Sequence, residues 1–183
     1  RKLERQLLSS MVGRELFDDD TPISDRFEVN VFVKGSPFGA TPIITRAKDS
    51  IGYHIEPLTD DIEEDFDIFR NGGFTVDMEG TKEWCAFADS IFGDILPSRI
   101  MQSSLRGAIT NPLVKLVNME TYYMSMYDCP EKLHELMDMA TTVYEKYYDY
   151  LEENKLLLPT NGFSCLNQES FSFTDELPSE GEI

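Results

Sequence analysis

Two short apolar runs, "RIMQSSL" at residues 99–105 and "KLLLPT" at residues 155–160, flank a long helical stretch. How they are read decides the fold. Each is too short for a helix and is closed by turn formers, Gly107 after the first and Asn161-Gly162 after the second, so each reads as a buried strand. The segment between opens with "TNPLVKLVNMETYYMSMY", residues 110–127, where Pro112 lies in the first turn and no amide hydrogen is needed. Behind it Leu133, Leu136, Met137, Ala140, Val143, Tyr144, Tyr147 and Leu151 form an apolar stripe of nearly six turns. Strand, helical segment, strand is the order of a βαβ unit. It predicts that 99–105 and 155–160 are parallel neighbours in one sheet.

Within the helical segment, "MYDCPEKLHELMD" at residues 126–138 places Asp, Cys, Glu and His close together. Cys129, Glu131 and His134 do not share a helix face, whereas metal pairs on helices need i, i+3 or i, i+4 spacing. Asp128 and Glu131 have that spacing, but with Pro130 in the first turn they read as a capping box. His134 and Asp138 read as a solvated surface pair. No metal ligand is assigned.

Toward the N-terminus, residues 1–17 show helical spacing of Leu3, Leu7, Leu8, Met11, Val12 and Leu16. "RFEVNVFVKG" alternates Phe27, Val29, Val31 and Val33 with polar residues and predicts one strand. "GSPFG" is a turn, and "TPIITRA" and "IGYHIEPL" are two short extended pieces. "TDDIEEDFDIF" predicts a short helix capped by Thr59 or Asp60, with Ile62, Phe66 and Phe69 on one face. "RNGGFTVDMEG" reads as loop and short strand. "TKEWCAFADSIFG" predicts a helix with a stripe of Trp84, Phe87, Ala88 and Ile91, ending at Gly93.

The 183 residues are 41% hydrophobic and 27% charged, enough to bury a real core. A net charge of −18, from 34 acidic and 16 basic residues, repels nucleic acid and anionic membranes. Neither is expected as a partner. Cys85, Cys129 and Cys165 are odd in number and far apart, which argues for reduced thiols and a cytoplasmic location. No apolar run approaches the ~20 residues that span a bilayer. The start at Arg1 and the stop at "LPSEGEI" suggest part of a longer chain, read as a single domain fragment over 1–183. Within it, 1–95 is an N-terminal elaboration and 96–183 a βαβ core.

Other chemistry-bearing residues give weak signals. His54 has no His or Cys beside it and reads as structural. Cys85 reads as a small core residue. Cys165 follows a predicted parallel strand, where α/β folds bind ligands, but no base stands near it in sequence. The dense tyrosines at 122, 123, 127, 144, 147, 148 and 150 read as packing with hydroxyls at the rim. Phosphate-loop, dinucleotide, nucleophile-elbow, zincin and EF-hand motifs are absent.

Longer stretches carry a resemblance. "YYMSMYDCPEKLHELMDMATTVYEKYYDYLEEN" contains a D-x-P-E-x-x-H-x-L-M helix start, preceded by the strand, Gly-containing turn and helix of "SSLRGAITNPLVKLVNME". "YHIEPLTDDIEEDF", "TVDMEGT", "IFGDILP" and "FTDELP" complete the order. Together these resemble the uroporphyrinogen decarboxylase superfamily, in its decarboxylase-like or methyltransferase-like bacterial branch. The resemblance implies an α/β fold, a partial (β/α)8 TIM-type barrel covering about the N-terminal half, with an extra N-terminal helix and short strands. It places the active site at the carboxyl ends of the strands.

That resemblance implies one of two chemistries. Decarboxylases of the family grip substrate carboxylates with an R-Q-A-G-R-Y segment, which this chain lacks, and its second strand ends in Thr160-Asn161-Gly162 rather than Phe-Asp-Ser/Thr. The first expectation is therefore a methyltransferase-type, corrinoid-linked enzyme acting on a small-molecule substrate, with a corrinoid protein as implied partner. Zinc and a corrinoid are the implied cofactors, and their ligands belong to the absent second half. Substrate contacts are expected from Arg106, Thr110 and Asn111 after one strand, and from Asn161, Cys165, Asn167 and Gln168 after the next. The alternatives are a decarboxylase of another acid, anchored by Arg106 and Arg99, and an inactive truncated barrel acting as a binding or regulatory protein. The open sheet edges of a half barrel would call for a partner or a homodimer.

Overall fold

The structure is a computed structural model that describes residues 1–18, 25–48, 51–102 and 108–157. It is mixed α/β. In chain order the elements are α1 (Lys2–Phe17), β1 (Phe27–Asn30), β2 (Phe32–Ser36), β3 (Ile43–Arg46), β4 (Tyr53–Glu56) and a 3-10 helix (Phe66–Phe69). There follow β5 (Gly73–Asp77), α2 (Met78–Phe92), β6 (Ser98–Met101), α3 (Thr110–Asp128) and α4 (Pro130–Glu153). The sheets are small pairs, β1 with β6, β2 with β5, and β3 with β4, and no barrel closes among the described residues. The chain forms two compact units. One takes Arg1–Phe32, Asp77–Leu105 and Leu151–Ile183; the other takes Val33–Val76 and Arg106–Tyr150.

In the first unit β1 and β6 are parallel, with Phe27 opposite Ser98 and Asn30 opposite Met101. Beyond β6, Gln102 forms a parallel bridge with Leu157, and the Gln102 amide donates to the Leu156 carbonyl at 3.0 Å. The expected parallel pairing of the two apolar runs is seen at this single bridge, and 155–157 form no strand of their own; residues 103–105 and 158–160 lie outside the described residues. One sheet face is apolar. Phe27, Val29 and Ala88 are buried there, with Leu3, Leu7, Trp84, Cys85, Phe92 and Leu96 packed around them. Phe27 meets Phe92 edge to face at 5.2 Å. Asp77 starts α2, accepting the Gly80 amide at 2.9 Å, and Thr81 then donates to the Asp77 carbonyl and accepts the Phe32 amide.

The expected stripe of α2 is only half buried: Ala88 is fully covered, while Phe87 and Ile91 stay exposed at 50% and 57%. The N-terminal helix behaves similarly. Leu3 and Leu7 pack, Lys2 lies over the Trp84 ring at 4.6 Å, and Leu8, Met11, Val12, Leu16 and Phe17 face outward.

The second unit is built on α3 and α4. Phe38, Ile62, Phe66, Phe69, Leu113, Leu116, Val117, Cys129, Leu133, Leu136 and Ala140 form one buried cluster. The stripe read on α4 is its inward face. β3 and β4 form an antiparallel hairpin, Ile43 opposite Glu56 and Arg46 opposite Tyr53.

Four local readings change. The single strand over 26–35 breaks at Val31, whose amide donates to the Met101 carbonyl at 3.1 Å before β2 leaves to pair with β5. The helix expected over 59–69 is a series of turns ending in the short 3-10 helix. There the Asp61 carboxylate accepts both the Glu63 and Glu64 amides at 2.9 Å, offering the backbone an alternative to helix. The helix over 110–127 is kinked at Asn118, which has φ 62° and ψ 171°. Finally, Asp128 is not the cap of the last helix. It ends α3, and Cys129, immediately before Pro130, occupies the cap position and accepts the Leu133 amide at 3.0 Å.

Candidate functional site

The apolar cluster of α2 covers one face of β1 and β6, so the polar side chains that alternate with it on the other face are the first place to look for chemistry. By alternation, Glu28 and Asn30 on β1 share a face with Arg99 and Met101 on β6. Glu28 stands directly opposite Arg99, and the guanidinium donates to the Glu28 carboxylate at 2.8 Å. The pair is part-buried, with side-chain exposures of 24% for Glu28 and 38% for Arg99. The backbone beside it is tied down as well, since Gln6 donates from its amide to the Glu28 carbonyl at 3.2 Å. An arginine held this way has its charge balanced. It can add a planar oxyanion to the carboxylate it already carries, as a forked donor.

Arg99 was within reach of sequence reasoning as an anchor; Glu28 and Asn30 were not. Their signal is present in "FEVN", where polar residues alternate with buried ones inside a strand. Nothing local distinguishes such positions from an ordinary solvated face until a parallel partner supplies the opposite charge.

Of the expected substrate contacts, Thr110 and Asn111 form the exposed first residues of α3, and no side-chain cap bond is made at that helix start. Arg106, Asn161, Cys165, Asn167 and Gln168 lie outside the described residues. The structure therefore brings together only the two that adjoin in sequence.

His54 is exposed on β4 opposite Thr45, not buried as a structural histidine. Burial, with the charge of Asp89 nearby, pushes the Cys85 thiol up. Cys129 is pushed up by burial and by the charges of Glu63, Asp61 and Asp128, against an opposing hydrogen bond with Ser125. Both thiols are thus held in the protonated form at neutral pH. Glu131, His134, Glu135 and Asp138 line a shallow exposed patch on α4. Among the described residues no group of three or more His, Cys, Asp or Glu is placed to hold a metal ion. These residues therefore do not fit zinc. Nor is any described helix long and apolar enough to cross a membrane.

Compared with models of known families, with curated proteins and with solved structures, the chain gives no match.

Proposed function

We propose that the chain is about the N-terminal half of a (β/α)8-type barrel resembling uroporphyrinogen decarboxylases, in the methyltransferase-type, corrinoid-linked branch. The observation that supports this is the order of the parallel segments. β1, β6 and the residues at Leu157 lie side by side in that order, with β2–β5 and α2 between the first two and α3 and α4 before the third. Repeated parallel β, helix, parallel β with sequential neighbours is how a (β/α) barrel begins. On this reading the face carrying Glu28, Asn30 and Arg99 lines the barrel interior, and α1 and α2 belong to its outer layer. The described residues do not fit zinc, so no step is drawn through it.

Arg99 favours one second reading, a decarboxylase of a carboxylate-bearing substrate. A guanidinium on the inner face of a parallel sheet suits a carboxylate, and Glu28 would tune its grip. The two are separated by an assay on the chain extended by whatever its gene encodes downstream. Loss of methyl from methylcobalamin to a thiol, followed by its absorbance change, is expected for the first reading. Release of carbon dioxide from a small acid, lost in Arg99→Met, is expected for the second. Neither reaction, together with an extended structure whose strands do not close, would leave an inactive binding protein.

A further inference from the structure

The two halves of α3 meet at Asn118 and bury different kinds of residue. In the first half Leu113, Leu116 and Val117 are buried. A straight helix would carry that face on to residues 120, 124 and 127. Asn118, at φ 62° and ψ 171°, breaks the period. The second half instead buries Thr121 and Ser125. The Ser125 hydroxyl is satisfied within the helix, donating to the Thr121 carbonyl at 2.7 Å. Met119, Tyr123, Met126 and Tyr127 are left exposed at 52%, 53%, 42% and 86%. Their spacing of four, three and one puts them on one face, opposite Thr121 and Ser125.

Small polar residues inside and large apolar ones outside invert the ordinary pattern of a surface helix. The inversion is maintained by a strained backbone position, and such strain clusters where a segment has a task beyond packing. Exposed apolar side chains scattered singly are unremarkable, but a contiguous stripe of them marks an interaction surface. Met119, Tyr123 and Met126 repeat at intervals of four and three, the spacing of a seam that receives a second helix. The stripe runs ~12 Å along the axis, room for two or three anchoring side chains. Methionine adapts its shape to what it meets, which suits a surface that is covered only at times.

Charge selects the partner. Between Lys115 and Lys132 the charged residues are Glu120, Asp128 and Glu131, all acidic. Glu120 and Asp128 are exposed, and the stripe ends at the C-terminus of α3, where the last carbonyls add partial negative charge. A second copy would bring the same acids to the seam, with no cation to meet them, and a net charge of −18 repels both that copy and an anionic membrane. We infer that the stripe of Met119, Tyr123, Met126 and Tyr127 docks a basic amphipathic helix of another protein. Its apolar residues lie along the seam, and its lysines or arginines stand beside Glu120 and the end of α3.

The test is titration of the 183-residue chain with a labelled peptide of about five helical turns, its leucines repeating at intervals of four and three and its other positions lysine and glutamine. Binding is read by fluorescence anisotropy, and amide shifts are mapped by NMR. One control peptide scrambles the same composition, and another has glutamate for lysine. Saturable binding of the first is expected, about tenfold or more tighter than either control, with shifts centred on 119–128. Met119→Gln combined with Met126→Gln should weaken it by about tenfold, and Tyr127→Ser by about threefold. All three positions are exposed, so both variants should melt as the unaltered chain does. Glu120→Gln should weaken binding about twofold and reduce its salt dependence. Absence of saturable binding to the unaltered chain overturns the inference, as do shifts confined to other residues. A scrambled peptide that binds equally well reduces the effect to charge alone and overturns it too. A dimer in sedimentation that Tyr127→Ser dissociates gives the stripe to a second copy. Shifts at 119–128 on adding phosphatidylcholine vesicles give it to a membrane surface. Loss of peptide binding in the chain extended by whatever its gene encodes downstream gives it to a later segment of the same protein. Each of these three also overturns the inference.

Discussion

Asn118 carries more conformational strain than any sequence pattern announced. At φ 62° and ψ 171° it occupies backbone space that is essentially reserved for glycine, at a cost of about 1–3 kcal/mol. Two contacts hold it there: its side-chain oxygen accepts the Thr121 amide at 2.9 Å, capping the second half of α3, and the Leu58 amide fills the carbonyl of Leu116 at 2.6 Å. Asn118→Gly relieves the strain and loses only a few tenths for the cap, so a net gain of about 1 kcal/mol is expected in urea unfolding. Asn118→Ala keeps the strain and loses the cap, and should cost about 1–2 kcal/mol. Equal losses in both would show that the backbone there is unstrained. The caps make a second comparison. Asp77→Ala removes the side-chain acceptor for Gly80 and should cost about 1 kcal/mol, whereas Asp128→Ala should stay within about 0.5 kcal/mol. The sequence suggested the reverse emphasis. Asp128 has capping-box spacing but sits one residue too early, because Pro130 fixes the first helical position and leaves Cys129 as the cap. Asp77 was overlooked because Val76 and Asp77 read as strand and the apolar period of α2 becomes visible only later.

At the scale of elements, what was legible had a period. The inward stripe of α4 and the alternation of Phe27, Val29 and Val31 follow spacing that burial enforces, whereas α1 keeps a helical period although Leu8, Met11, Val12 and Leu16 stay exposed. What was not legible depends on partners distant in the chain. The break at Val31 exists because its amide is taken by Met101, and the outward turn of Phe87 and Ile91 follows from how little of α2 its sheet covers. The pairing of Glu28 with Arg99 also needs a register that no single strand encodes. A double-mutant cycle on Glu28 and Arg99 should give a coupling of no more than about 1 kcal/mol, since both are partly solvated. Its salt dependence would confirm the ionic origin. Gly35 shows the opposite case, a residue with no tolerance: Gly35→Ala forces a Cβ onto the Gly73 carbonyl at positive φ, and a loss of about 3 kcal/mol or more is expected in thermal melts. Of the candidate site, Arg99 was legible as an anchor and its partner Glu28 was not, and of the loop residues expected to contact a substrate only Thr110 and Asn111 lie among the described residues.

For the whole molecule, burial raises Cys85 and Cys129 above their ordinary 9.0 and Tyr144, Tyr147 and Tyr148 above their ordinary 10.0. The folded chain therefore holds these protons more tightly than the unfolded one. Their contribution is fully present below about pH 9 and is lost as pH rises through the folded values. A melting temperature that is insensitive to these groups near neutrality and falls above pH 9 is expected, less steeply in Tyr147→Phe; an unchanged alkaline slope in that variant would remove the tyrosine from the account. The interleaving of the two units has its own consequence. Residues 1–102 contain the parallel pair and the cluster around Phe27, Val29 and Ala88, though not the buried Leu151 and Leu156 of the same unit, whereas Phe38, Ile62, Phe66 and Phe69 await Leu113, Leu116, Leu133 and Leu136. In a 1–102 fragment, hydrogen exchange should find β1 and β6 protected and Val33–Val76 open, and equal protection of both would contradict that dependence. On a ribosome the same asymmetry becomes a problem of timing. The Val33–Val76 segment is synthesised early and finishes folding late, while the β1–β6 pair on either side of it in the chain needs nothing made after residue 101. Its four large apolar side chains stay uncovered until α3 and α4 leave the exit tunnel, and through that interval the nascent chain is a natural client for a holding chaperone.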